Sequence, residues 1–144
     1  MATRKLDNRG DGPVEFSALA TAAITANPTA GKYPGGLFVK FDTDPNYFVI
    51  TGAGDKPIGI VNSNVAINQP ATIKGGVGKL RLITLGGTVA LDADGTALVK
   101  ADAAGKAVAI GTGAANVAGT VTKAGSAGDV VPILFRVGPP LGPA

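Results

Sequence analysis

The chain has 144 residues, 45% of them hydrophobic and only 16% charged, with 22 glycines, no cysteine, no histidine and a formal net charge of +3. That length suits one domain with a sizeable core. The missing cysteine and histidine exclude a disulfide scaffold and remove the commonest general base, the usual nucleophile pairings and the usual transition-metal ligands.

Taken in order, residues 1–13 (MATRKLDNRGDGP) mix charges of both signs and end in Gly-Asp-Gly-Pro. They bury little and read as a mobile arm unless a partner orders them. Arg4, Lys5, Asp7, Arg9 and Asp11 are therefore the candidate partner-contacting residues. Arg9-Gly10-Asp11 matches an adhesion tripeptide, a pattern too short to carry weight. The basic residues among them are interrupted by carboxylates and are too sparse for a nucleic-acid stripe. Phe16 to Ala26 is the nearest approach to a signal h-region. Its acidic upstream segment and its threonines argue against that reading, and no apolar run reaches the roughly 20 residues needed to span a bilayer.

Val14 to Asn27 fits both a helical stripe and strict alternation. Thr21, Thr25 and the character of the remainder favour a strand. Residues 27–36 (NPTAGKYPGG) are a loop by their Pro and Gly content. Leu37–Phe41 and Tyr47–Thr51 are predicted as hairpin arms around the turn Asp42-Thr-Asp-Pro-Asn46. Further strands are predicted at Pro57–Asn62, Ala71–Lys74, Lys79–Leu85 and Thr88–Leu91, the last two joined by Gly86-Gly87. Beyond the turn at 92–95, strands are expected at Ala97–Val99, at Ala107–Ile110, up to Val121, and at Val130–Val137. Residues 138–144 (GPPLGPA) read as an extended tail.

Laid on itself with one ungapped shift, the sequence superposes Gly35 on Gly95, Val39 on Val99, Lys40 on Lys100 and Asp42 on Asp102. The same shift superposes Ile50 on Ile110, Gly59 on Gly119, Val61 on Val121 and Ile73 on Ile133. The matches fall on strand cores, a turn carboxylate and a loop glycine, as a duplicated hairpin unit requires. The expected fold is all-β: a small barrel or sandwich of about ten short strands over 14–137, with pseudo-repeats at about 35–73 and 95–133. Closure is expected because open edges invite aggregation.

No catalytic pattern emerges. The three serines, Ser17, Ser63 and Ser126, lack a nucleophile-elbow setting. Asp42/Asp44 and Asp92/Asp94 could serve a glycosidase or a metal, but Asp at these places is turn chemistry. Asp92-Ala-Asp94 opens like a calcium loop, yet Ala97 stands where glycine is needed and no glutamate closes it. Gly78-Lys79 and Gly105-Lys106 lack the remainder of a phosphate loop, and Asn116 stands where a dinucleotide fingerprint needs its third glycine. No cofactor, metal, membrane or nucleic-acid partner is expected, and no enzymatic activity.

The phrases Phe38-Val-Lys-Phe-Asp42, Pro57-Ile-Gly-Ile-Val61, Val99-Lys-Ala-Asp-Ala-Ala-Gly-Lys106 and Ala124-Gly-Ser-Ala-Gly-Asp-Val-Val131, in a small Gly/Ala/Val-rich β-domain, resemble the capsid decoration (cement) proteins of tailed bacteriophages. The resemblance covers roughly residues 16–137. It implies a β-barrel-like virion protein on the outer capsid surface. Such a protein binds the major capsid protein, associates as a homotrimer and braces neighbouring capsomers. The alternatives are another virion module, such as a tail, fibre or minor head protein, or a carbohydrate- or cell-surface-binding module using Tyr33, Tyr47 and the Asp-rich turns.

Overall fold

A computed structural model of the chain describes residues 15–26, 35–111 and 116–136. Ten strands run through them: β1 (Glu15–Ala20), β2 (Leu37–Phe41), β3 (Tyr47–Ile50), β4 (Gly59–Val61) and β5 (Pro70–Lys74), then β6 (Leu80–Thr84), β7 (Ala97–Ala101), β8 (Ala107–Ala109), β9 (Gly119–Val121) and β10 (Val130–Phe135). No helix occurs among the described residues. The fold is all-β, as the alternating apolar runs and Gly/Asp turns predict.

The strands form two five-stranded units. β1-β3-β2-β4-β5 is a closed barrel, and β6-β10-β9-β7-β8 is a curled sheet of the same strand order. Residue by residue, the second repeats the first. Under the shift that lays Gly35 on Gly95, the pair Leu37↔Val61 recurs as Ala97↔Val121, and Ile60↔Lys74 recurs as Thr120↔Leu134. The opening strand is displaced further. Glu15↔Lys74 matches Leu80↔Leu134, so β6 follows β1 at a longer interval than β10 follows β5. The isolated bridges Ile24↔Val65 and Val89↔Gly125 keep the same two intervals. Asn68, with φ of 61°, and Gly128, with φ of 89°, occupy twin places in the loop before the last strand of each unit. Asparagine is one of the few side chains that tolerates this left-handed backbone.

The predicted strand Thr88–Leu91 is a correction. Only Val89 pairs there, through its bridge to Gly125, because the turn at Asp92–Thr96 begins at once and leaves no room for a ladder. The stretch at Val14–Asn27 resolves as strand over β1. The chain then bends, and Ile24 bridges to Val65.

The two units differ at one seam. In the first, β1 and β3 run parallel, with Leu19 N–H donating to Asn46 O and Thr21 N–H to Phe48 O. In the second, β6 meets β8 through a single bridge, Leu85↔Ala107. The start of β2 is inserted into what remains of that seam: Thr84 N–H donates to Gly36 O at 3.0 Å, and Phe38 N–H donates to Gly105 O at 2.6 Å. Gly36 has to be glycine here, since a Cβ would strike Leu82 O and Ile60. Gly105 has φ of +76°, and a Cβ on it would lie 2.9 Å from Phe38 O. Backbone groups thus close the second unit with a strand from the first, which satisfies edge donors that would otherwise be unpaired.

Packing follows the same logic. Phe16, Val39, Phe48, Val61 and Ile73 fill the first barrel. Ile83, Val99, Val121, Ile133 and Phe135 fill the second unit. Phe38 and Ile60 leave their own barrel and join the second core, where Phe38 meets Phe135 at a ring-centroid distance of 6.5 Å. The two units therefore share one of their two cores.

Candidate interaction surfaces

The candidate contact residues Arg4, Lys5, Asp7, Arg9 and Asp11 lie outside the described residues, as does Tyr33. Tyr47 opens β3 and is half-buried. The paired carboxylates are within the structure, and Asp42, Asp44 and Asp94 each use Oδ1 to hold their own turn. Asp42 Oδ1 accepts from Thr43 N–H, and its Oδ2 accepts from Thr21 Oγ1 at 2.7 Å. Asp44 Oδ1 accepts from Asn46 N–H, while Asp94 Oδ1 accepts from Thr96 N–H and Thr96 Oγ1. Asp102 Oδ1 holds Ala104 N–H and Lys106 N–H. This is the Asx-turn use of aspartate. Among the described residues, no three Asp, Glu, His or Cys side chains group closely enough to hold a metal ion.

The turn bonds leave an electrostatic signature. The Thr21 hydroxyl, then the Thr43 N–H, hold Asp42 below the usual carboxylate range; Thr96 does the same for Asp94. Lys40, at 2.5 Å, and Gly52 N–H hold Asp55 down. Carboxylates depressed in the folded state stabilise it above their unfolded value, and that contribution is lost as pH falls through the lower folded values. The melting temperature is therefore expected to be flat from pH 7 to about pH 5 and to fall progressively below about pH 4. Thermal unfolding followed by circular dichroism across that range checks it. A melting temperature that climbs on acidification would contradict it.

At the junction of the units, Gly54 N–H donates to Ala101 O at 2.8 Å, and Asn62 Nδ2 donates to Leu82 O. Asn116 Nδ2 donates back to Gly54 O. Arg81 donates to Gly75 O through Nε and Nη2 and stands 3.8 Å from Glu15, a pair of small energetic weight because its carboxylate is exposed.

Elsewhere the notable exposed groups are apolar: Ile67, Val77, Leu80, Leu98 and Leu134. Sequence reasoning passes over them, because outward-facing leucines in an alternating strand look like any other strand residue. The one signal the sequence offers is the superposition of Leu98 on Phe38 in the internal repeat.

No protein-family model matches the chain, and no curated protein matches it. Among solved structures, it is similar to the N base of head fiber gp8.5 of bacteriophage phi29. The TM-score is 0.62 at 15% identity, over 85% of this chain and 93% of that one. The likeness covers most of both chains and is one of fold.

Proposed function

We propose that this chain is a structural part of a phage virion, carried on the outside of the head, where it binds the major capsid protein and braces neighbouring capsomers. The observation that carries the reading is the fold likeness to the base of a phage head fiber. The turn aspartates agree with it, since their oxygens are used to hold loops in shape. A brace needs a shaped surface repeated many times, each copy of modest affinity, and multivalency supplies the total stabilisation. In this reading the chain associates into trimers, and Arg4, Lys5, Asp7, Arg9 and Asp11 contact the neighbouring protein as an arm that orders on binding. The phi29 likeness, being to the base of a fiber, favours a second reading, in which the chain is the foot of a projecting head-attached fibre.

An electron-microscopy map of particles produced with this chain separates the two. Density lying flat across capsomer boundaries supports the brace. Density standing at isolated sites beneath a fibre supports the foot. Absence of the chain from purified particles would end both. Deleting residues 1–13 is expected to lower occupancy on the particle, and full occupancy after that deletion would remove the arm from the account.

A further inference from the structure

The duplication allows an internal comparison at equivalent positions. On the outer face of the second unit, Leu80, Leu134, Thr120 and Leu98 stand directly opposite one another on β6, β10, β9 and β7, forming one row across four strands. Leu80 is 63% exposed, Leu134 40% and Leu98 37%. Val77, also exposed, sits in the turn that leads into β6.

The twin row in the first unit is Glu15, Lys74, Ile60 and Phe38, aligned through the corresponding pairs. There, the apolar members Ile60 and Phe38 are fully buried against the second unit, and the members beyond that contact are Glu15 and Lys74. The same face of the same fold is therefore apolar where the other unit buries it and charged at the margin, where Glu15 is exposed beside Arg81 of the second unit and Lys74 is half-buried. In the second unit it carries leucine at both positions where its twin carries the charged pair. The fold does not require leucine there, because the first unit folds with glutamate and lysine. Single exposed apolar residues are ordinary, but a register-aligned row of them marks a contact surface.

Half of the twin row also shows what covers such a face: Phe38 and Ile60, the twins of Leu98 and Thr120, are buried in the core of the other five-stranded unit. We propose that the row Leu80–Leu134–Thr120–Leu98 is the surface through which copies of this chain associate, the second unit of one copy packing on the second unit of its neighbour. A second copy is present wherever the chain is made, so the apolar row need not stay exposed while the chain awaits an unlike partner. The inference rests on the self-association in the reading above, and not on the virion.

The test exchanges the row for its twin. Leu80→Glu with Leu134→Lys installs the charged pair that the first unit already carries at these cross-strand positions. Sedimentation velocity on the purified full chain is expected to give a multiple of the 14.1 kDa chain mass for the parent and a single-chain mass for the double variant. If the double variant fails to fold, Leu98→Cys serves instead. The parent chain has no cysteine, so oxidation is expected to link the introduced thiol to its counterpart in a second copy, and thiol labelling to slow as concentration rises. A double variant that assembles like the parent would overturn this face and leave self-association standing. A parent that is monomeric at every concentration would overturn both. A monomeric parent whose double variant no longer binds particles would assign the row to a different protein and overturn the proposal.

Discussion

Replacing Phe38 by alanine is expected to lower the unfolding free energy by about 3–5 kcal/mol, the range for truncating a fully buried phenylalanine. Phe38 is 0% exposed and does not serve its own barrel. Its ring lies in the second core with Ile83, Leu85 and Phe135, and its N–H closes the seam through Gly105 O. Alanine leaves a cavity at the place where the two units meet, in the core that Phe38 fills together with Ile83, Leu85 and Phe135. Urea unfolding measures the loss. A falling midpoint with a smaller slope would show that the units have also become uncoupled. The twin substitution Leu98→Ala is the control. It occupies the equivalent register on the exposed row, so in the separated chain it is expected to change stability by no more than about 0.5 kcal/mol. Equal losses at the two positions would contradict this account of the junction.

The second large effect is expected at Gly59 and Gly119, twin glycines inside strands. A Cβ at Gly119 would stand 2.5 Å from Ile133 Cδ1 and 2.8 Å from Leu134 O; at Gly59 it would stand 2.5 Å from Ile73 Cγ2 and 2.9 Å from Lys74 O. Glycine normally weakens a strand, and here it makes room for an isoleucine that fills the core. Gly119→Ala is expected to cost about 2–3 kcal/mol through overpacking. Ile133→Val removes the nearest methyl, so the cost of Gly119→Ala is expected to shrink in that background by about 0.5 kcal/mol or more. Additive losses in the double-mutant cycle would show that the clash lies with Ile133 Cγ1, which valine keeps, and with the backbone carbonyl.

The duplication supplies the paired positions in both predictions, and it is legible in the bare sequence. The ungapped shift places Gly59 on Gly119 and Ile73 on Ile133, the two members of the contact just described. It does not reveal that β1 and β6 are also twins. They are set further apart than the other strand pairs, and an ungapped shift cannot follow a length change in the loop after the first strand. Chains tolerate such changes because a few residues more in a loop add little closure entropy.

Local chemistry was decided by the sequence alone. Asp42, Asp44, Asp94 and Asp102 make turns because an aspartate oxygen reaches an N–H a few positions further along, and that bond needs nothing from the remainder of the chain. The alternating runs between those turns fix which residues point in and which point out. Only the tertiary structure decided where the outward residues go. Phe38 and Leu98 share a strand position and a pattern, yet one is buried and the other is not. The physical reason is that a strand presents two faces, and its own sequence specifies the contents of each but not what is laid upon it.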